Sequence, residues 1–579
     1  MKKLFLSLLF LSLAAFSCSE GGEEPSPEVT LAPPTGLVLK GVTETSATLQ
    51  WNPVEGATGY AWEVVDGIHI GVYASGQVKT RNVTIPSLMP GTDYTFHVRT
   101  VSGEKTGEDY AILGFTTEGS SDQPVEGAIC TDAPLVLQFD SAPVLGSSGL
   151  IRIWTDGGKE VDRIDLADLV TVSLRDDGQM VPKEQITTDT KLNTFMDLIP
   201  SGNRWRIVHY TPLRIKGNRL EIRHHSGVLE FGKSYYLTMD KDVLAGEPAI
   251  AKGEWTFSTK AAPASPASIE VAPDGSADFC TVQGALSYVS STSGPVTVSV
   301  ANGTYEEMLF LRERAEVTIV GASREKCVIS YANAEALETG SGGSAGSRPA
   351  LGSAIGKCGG RGMMLFENCN KLRLENLTLR NTYGAQGQAE VLYFNSGSNE
   401  HRLVIENCSL HSLQDTFLTK GEAWVHNSLI AGNVDFIWGY PKACLFEDCE
   451  IRCEAPSGYV IQARVPSESF VGFVFLRCDI TAGAGARDGS VYLARSAGQS
   501  DCFDNVTFID CRMASVIPAT GWYTSPAPNP ATPTASSGWK EYGSLDASGK
   551  PLSGHNAFGR YLSADEAAPY SSRQAVLGW

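Results

Sequence analysis

Positive charge is in short supply in this chain: 46 Lys and Arg stand against 65 Asp and Glu, for a net charge of −19. That balance excludes a general affinity for nucleic acid, and any polyanionic ligand must be met by local basic residues rather than by the overall field. Cysteine is sparse as well, 13 in 579 residues, so no disulfide framework is implied. There is no Cys-x-x-Cys pair and no Cys/His cluster that would make a zinc site, and no metal or other cofactor is expected. After the N-terminal segment no run is apolar enough to span a membrane. The chain is too long for one core, and its 59 glycines and 29 prolines favour several domains of short strands and turns over long helices.

What is present begins with an export signal. Met1, Lys2 and Lys3 supply a positive start, and Leu4 to Phe16 an apolar stretch too short to cross a bilayer as a folded helix. It ends in Ala15-Phe16-Ser17-Cys18, which resembles a bacterial lipobox with Cys18 as the acylated residue. The plainer alternative is a secretory signal that happens to contain a cysteine. Residues 1–17 are read as the signal peptide and 18–32 as a flexible acidic tether without core-forming residues. The acidic run resembles the surface-export signal of Bacteroidetes lipoproteins, so the protein is expected on the outer-membrane surface through its lipid anchor, with the periplasm as the alternative.

Residues 33–118 alternate apolar and polar positions in short runs separated by turns, the pattern of a β-sandwich. Trp51 suits a core anchor, and Tyr94 follows a turn in the manner of a tyrosine corner. Together these features resemble a fibronectin type III domain. A Gly/Ser/Asp linker leads to a second run of strands over 124–260, closing in Trp255-Thr-Phe-Ser-Thr259, which resembles bacterial Ig-like domains. Both sandwiches are read as spacers. The basic cluster Arg219, Arg223, His224 and His225 is read as a solvated strand face.

Beyond Ala267 an internal repeat sets in. Leu372-Arg-Leu-Glu-Asn-Leu-Thr-Leu379, Leu403-Val-Ile-Glu-Asn-Cys-Ser-Leu410, Cys444-Leu-Phe-Glu-Asp-Cys-Glu-Ile451, Phe473-Val-Phe-Leu-Arg-Cys-Asp-Ile480 and Val506-Thr-Phe-Ile-Asp-Cys-Arg-Met513 share one pattern, with a weaker copy at Trp424-Val-His-Asn-Ser-Leu-Ile430. Each copy is an alternating strand, a polar turn, a small or sulfur residue and a second apolar strand. One such unit cannot bury its apolar face alone, so the units stack, at solenoid spacing, into a parallel β-helix over 267–579. Cys369, Cys408, Cys449, Cys478 and Cys511 then fall at equivalent inward positions, where cysteine acts as a small buried hydrophobe. The Gly/Ser-rich insertion 339–347 is read as a loop near the groove. The fold class is all-β: a C-terminal right-handed parallel β-helix preceded by two β-sandwiches.

Stacking converts sequence spacing into distance. Gln388, Asp415, Asp435, Gln462 and Arg495 are each separated by roughly one turn, so they are expected in a single column on the outer face, with neighbouring strands about 4.8 Å apart. Two carboxylates that close cannot both ionise cheaply, and their pKa values should split. Arg495 beside Asp435 would keep it ionised, while desolvation would keep Asp415 protonated. One nucleophile and one acid result. Taken singly, each has a plainer reading as a turn residue, a backbone cap or a surface cation; jointly that reading needs five coincidences.

These residues sit in segments that resemble pectin methylesterases, in the family's order: Val271-Ala-Pro-Asp-Gly-Ser-Ala-Asp-Phe-Cys-Thr-Val-Gln283, Asn302-Gly-Thr-Tyr-Glu306, Gln388-Ala-Glu-Val-Leu392, Gln414-Asp-Thr-Phe417, Gly432-Asn-Val-Asp-Phe-Ile-Trp-Gly439, Tyr459-Val-Ile-Gln-Ala-Arg464, Trp539-Lys-Glu-Tyr542 and Leu562-Ser-Ala-Asp-Glu-Ala567. The resemblance implies that Asp435 attacks the methyl-ester carbonyl of a galacturonate unit. It makes Gln388, helped by Gln414, the donor to the oxyanion, Asp415 the acid and then the base, and Arg495 the residue that orients Asp435. It implies a carboxylic ester hydrolase, acting as a monomer on pectic polysaccharide without a cofactor.

One motif departs. The family's Leu-Gly-Arg-Pro-Trp is Leu493-Ala-Arg-Ser-Ala497 here, which keeps the arginine and loses an aromatic sugar platform. Trp438, Trp522 and Tyr523 are expected to replace it, with Gln462 and Arg464 completing the substrate contacts, and branched or decorated pectin becomes the expected substrate. The rival readings are a non-catalytic pectin-binding protein and an esterase or thioesterase of another substrate. A calcium-dependent lyase would need clustered carboxylates where this column carries glutamines.

Overall fold

The computed structural model describes residues 31–579 apart from 44–45, 67–73, 87, 89–92, 104, 108, 118–126, 175–179, 183–190, 336, 338–348, 351, 356–358, 384–386, 484, 553–554 and 556–557. The signal peptide, Cys18, all but the end of the tether, the Glu118–Gln123 linker and the 339–347 insertion therefore lie outside the described residues.

The first domain pairs strands Val38–Val42, Ser46–Gln50 and Asn82–Pro86 in one antiparallel sheet and packs it on a second built around Gly59–Asp66 and Asp93–Ser102. Trp51 and Tyr94 are both buried in its core, where Trp51 meets Tyr60 edge-on at 5.3 Å. The middle domain is likewise antiparallel, with a four-stranded sheet centred on Leu150–Thr155 and Ser234–Met239 and a three-stranded sheet centred on Arg219–Ile222. It also projects a hairpin, Met196–Ser201 with Arg204–His209, toward the C-terminal domain.

That C-terminal domain is a parallel β-helix, and the sequence repeat is its coil. Leu372 pairs with Leu403, Leu403 with Ala423, Ala423 with Cys444, Cys444 with Phe473 and Phe473 with Val506, one rung after another. The polar turn residues Asn376, Asn407, Asn427, Asp448, Arg477 and Asp510 all have φ between 48° and 54°. Asn and Asp tolerate this left-handed backbone best among residues with a side chain, which is why the repeat prefers them there. Asn407 donates to Asn376 at 2.7 Å and Asn427 to Asn407 at 3.3 Å, tying successive turns together. Cys369, Cys408, Cys449, Cys478 and Cys511 follow such turns and are buried as free thiols. Above them Phe446, Phe475 and Phe508 stack at 4.8 and 4.5 Å.

The middle domain, expected as a spacer, packs directly against the β-helix. Its Arg214 pairs with Glu306 at 2.7 Å, and its Asp132 accepts from the backbone N–H of Thr281 at 2.7 Å at the start of the helix Val282–Val289. The hairpin residues Ile199 and Val208 join Met308, Phe310, Leu365, Tyr393, Leu418 and Trp438 in one apolar cluster on the outer face of the β-helix. The basic cluster is corrected too: His225 pairs with Asp162 at 2.7 Å, and Arg223 and His224 line a cavity of about 1060 Å³ between the two domains. Two of the four residues thus face the neighbouring domain across this cavity, while His225 and Arg219, the latter donating to Gln138 at 3.0 Å, are held within their own domain.

Near the C-terminal end, Lys540 is fully buried with its Nζ donating to the Gly538 carbonyl at 3.2 Å, and burial pushes its pKa down to about 7 from 10.5. Between those values the unfolded chain binds a proton that the folded chain does not, so stability rises with pH across that window and the full penalty applies below it. Lys540→Met is expected to raise the melting temperature by more at pH 6 than at pH 10. Equal shifts at both would trace the gain to packing instead.

Candidate active site

The parallel register delivers both acids to neighbouring rungs. The Asp415 backbone N–H donates to the Val434 carbonyl at 3.2 Å, so Asp415 lies beside the residue preceding Asp435. Both acids have left-handed backbone, with φ of 66° and 47°. Such conformations persist where surrounding structure over-determines them, and here they lift two carboxylates out of the strand pleat. The expected column is staggered, since Gln388 bridges in parallel to Gln414 rather than to Asp415. Gln462 is in register with Trp438, because the strand Val434–Glu447 carries a bulge at Asp435.

Asp435 is buried and held on two sides. Arg495 donates through Nε to Oδ1 at 2.8 Å and through Nη2 to Oδ2, while Gln462 Nε2 donates to Oδ2 at 3.1 Å. Burial raises its pKa, and the hydrogen bonds and charge of Arg495, with the charge of Arg464, pull it back toward the ionised form. Asp415 is pushed well above the usual carboxylate range by burial and by the negative charge of Glu390, with Asp435 adding to the effect and Arg361 and Arg464 opposing it. The two shifts run in the same direction and are unequal: Asp435 stays above its ordinary value with Arg495 favouring its ionised form, and Asp415 is pushed up further, the order that a nucleophile and an acid require.

Around them the structure redistributes the expected substrate contacts. Gln462 is buried, and its Oε1 accepts from Arg464 Nε at 2.9 Å, so its amide is committed to Asp435 rather than to a ligand. Arg464 lies 4.9 Å over the Trp438 ring, and Trp438 is 7% exposed; this tryptophan is a floor, not an open platform. Trp522 is 1% exposed and stacks on Trp539 at 5.2 Å inside the coil, which removes it from any sugar. Tyr523 points the other way and is half-buried. It meets Tyr459 at 5.0 Å and Tyr492 at 5.1 Å, and Arg495 sits 4.7 Å over the Tyr459 ring. This tyrosine cluster supplies aromatic surface beside Arg495 where Ser496 and Ala497 do not. Tyr459 and Tyr492 were not expected at the site; they are strand partners, and their spacing of one turn is the signal that could have found them.

Two residues that were not expected at the site complete it: Arg361, which lies outside all the motifs, and Glu390, which lies inside Gln388-Ala-Glu-Val-Leu392. Arg361, 7% exposed, donates to Gln388, Glu390 and Asp415, and Glu390 is fully buried.

The pectinesterase family model matches residues 268–544, and the fibronectin type III model matches residues 32–112. The C-terminal half of this chain is a pectinesterase domain. Among curated relatives, this chain is similar to pectinesterase 31 of Arabidopsis thaliana, 29% identical over 259 residues that cover 44% of this chain and 76% of that protein. It is also similar to probable pectinesterase A of Aspergillus flavus, 26% identical over 251 residues, covering 43% and 72%. Among solved structures, pectin methylesterase PemA from Erwinia chrysanthemi aligns with a TM-score of 0.41 and 22% identity, over 54% of this chain and 97% of that one. Asp415, Asp435, Gln388 and Arg495 all fall within the matched pectinesterase segment.

Proposed function

We propose that the pectinesterase domain hydrolyses methyl esters of galacturonate units in pectin, with Asp435 as nucleophile and Asp415 as acid and base. The observation that carries this reading is the pair of buried aspartates on adjacent rungs, one clasped by Arg495 and the other placed beside a second buried carboxylate. An Asp435 oxygen attacks the ester carbonyl carbon, and the Gln388 amide, with Gln414 beside it, donates to the developing oxyanion. As the bond to the methoxy oxygen breaks, Asp415 gives up its proton and methanol leaves. Water then attacks the acyl-enzyme while Asp415 takes a proton from it, releasing a galacturonate carboxylate and free Asp435. Methanol release from methylated pectin tests the activity, and its absence would favour a non-catalytic pectin-binding protein.

The electrostatics suit an anionic polymer despite the net negative charge. Beside Trp438 a cavity of about 400 Å³ is lined by Tyr393, Lys420, Tyr440 and Pro466. Lys420 Nζ stands 5.6 Å over Tyr393 and 5.9 Å over Tyr440 and donates to Asn395 Oδ1 at 2.9 Å. A half-buried ammonium among aromatic rings suits a uronate, which brings a carboxylate and an apolar ring face together. Lys420→Met is expected to raise KM for partly de-esterified pectin about tenfold with kcat little changed, the signature of lost ground-state binding. An unchanged KM would remove Lys420 from the substrate path. Branched or decorated pectin is proposed as the preferred form, because the site has tyrosines where the family carries a tryptophan platform. Equal turnover of unbranched methylated homogalacturonan overturns that preference.

We also propose that the chain is exported and held at the outer membrane through acylated Cys18, a reading supported by the N-terminal sequence. Among the described residues no helix is long and apolar enough to cross a membrane. Metabolic labelling with a fatty acid is expected to mark the wild-type protein and not Cys18→Ala; labelling of both would refute the anchor. Action as a monomer is proposed with it, and a dimer mass in solution would contradict that.

A further inference from the structure

The Arg361 guanidinium reaches four side chains at once. Nε donates to both oxygens of Glu390 at 2.9 Å, Nη1 to Gln388 Oε1 at 2.7 Å and to Glu335 Oε2 at 3.1 Å, and Nη2 to Asp415 Oδ2 at 3.1 Å. Two of these contacts bear on the proposed chemistry. An amide can present either its carbonyl or its NH₂ to a cleft, and the two orientations are close in shape. Arg361 has only donors, so its bond to Oε1 fixes the Gln388 amide with the NH₂ directed away from the arginine and free to serve an oxyanion. The same logic applies to Asp415. Since Oδ2 accepts from Arg361, the proton of the neutral acid resides on Oδ1.

Arg361 is itself held from another domain. It sits in Gly359-Gly-Arg-Gly362, where Gly359 and Gly360 have φ of 91° and 76°, a left-handed backbone suited to glycine. Arg206, on the middle-domain hairpin and 0% exposed, donates to the carbonyls of Gly359 at 2.7 Å and of Gly360, Leu309 and Met363 at 3.1 Å each, and also to that of Gly362. Asn333 Nδ2 adds a bond to the Gly360 carbonyl at 2.9 Å. The backbone on both sides of Arg361 is therefore clamped by a side chain that the β-helix does not contain.

We propose that Arg361 is a positioning residue of this active site, orienting Gln388 as oxyanion donor and Asp415 as acid, and that the middle domain takes part in catalysis by holding the Arg361 loop through Arg206. The proposal rests on the assignment of Gln388, Asp415 and Asp435 given above. It makes the middle domain part of the enzyme rather than a stalk.

The test uses the full chain and four variants, Arg361→Lys, Arg206→Lys, Glu390→Gln and Asp435→Asn, with methanol release measured across pH and thermal melts giving the folded fraction. Lysine keeps the charge of Arg361 and loses the fork that reaches Gln388 and Asp415 together. Arg361→Lys is expected to lower kcat per folded molecule about 100-fold, the scale of one lost oxyanion donor, with KM nearly unchanged. Arg206→Lys is expected to lower kcat in the same manner and by less. The charged groups facing Asp415 are Glu390, Arg361, Asp435 and Arg464, with Arg495 beyond Asp435 and Glu335 behind Arg361. Removing the Glu390 charge takes away a repulsion that keeps Asp415 protonated, so the alkaline limb of the kcat profile should move to lower pH in Glu390→Gln, an effect a merely structural role would not produce. Wild-type kcat in Arg361→Lys, an effect confined to KM, an unmoved alkaline limb in Glu390→Gln, or full activity per folded molecule in Arg206→Lys would each overturn the part it addresses. Asp435→Asn separates the two levels: activity retained there refutes the underlying assignment, and with it the proposal.

Discussion

Asp435→Asn is expected to abolish methanol release, with kcat falling on the order of 10⁴-fold or more, while affinity for the polymer stays close to that of the wild type. Asparagine matches aspartate in size and keeps one acceptor for Arg495, while its NH₂ replaces the second and faces donors, so the clasp loosens locally on a strand still held by its backbone pairing. What disappears is the carboxylate proposed to form the acyl bond, and no neighbour is placed to replace it. Asp415 is kept protonated by burial and by Glu390, and Gln462 is an amide. Pectin binding measured beside methanol release checks both halves. A loss of binding parallel to the loss of turnover would assign Asp435 to the binding surface instead of the chemistry.

How legible this site is in the sequence depends on where each residue comes from. The β-helix announces itself because every coil repeats one strand–turn–strand pattern, and its register pairs the copies in order. Asp415, Asp435, Gln388 and Arg495 are legible because stacked turns convert spacing along the chain into proximity. Trp522 and Tyr523 show the limit of that reading. Neighbouring residues on an extended segment face opposite sides, and composition cannot say which of two aromatics enters the core. The placing of Arg223 and His224 at an interdomain cavity fails for a related reason, since a strand face cannot record which domain stands opposite it. Arg361 and Arg206 are the least legible. One sits in a glycine-rich loop without a repeat position and the other in a different domain, and a tertiary contact joins them across more than 150 residues of chain.

The second large effect concerns Asp415, and it separates the two halves of the reaction. Methoxide is a poor leaving group without a proton, and water is a poor nucleophile unless one is removed, so a single carboxyl group serves both steps. Asp415→Asn should therefore lower turnover of methyl esters by about 10²–10⁴-fold, the usual range for lost general acid–base catalysis. An aryl galacturonate ester, whose phenolate departs unaided, relieves only the first step. With that substrate the variant should release a burst of phenol equal to the enzyme present and then stall, since deacylation still lacks its base. The wild type should turn over such an ester without accumulating the acyl-enzyme. The buried setting of Asp415 supports this division: burial and Glu390 hold its proton until methoxide draws it off, and Arg361 on Oδ2 keeps Oδ1 as the working atom in both directions. Steady turnover of the aryl ester by Asp415→Asn, with no burst, would show that another group activates water, and the role of base would then have to be reassigned.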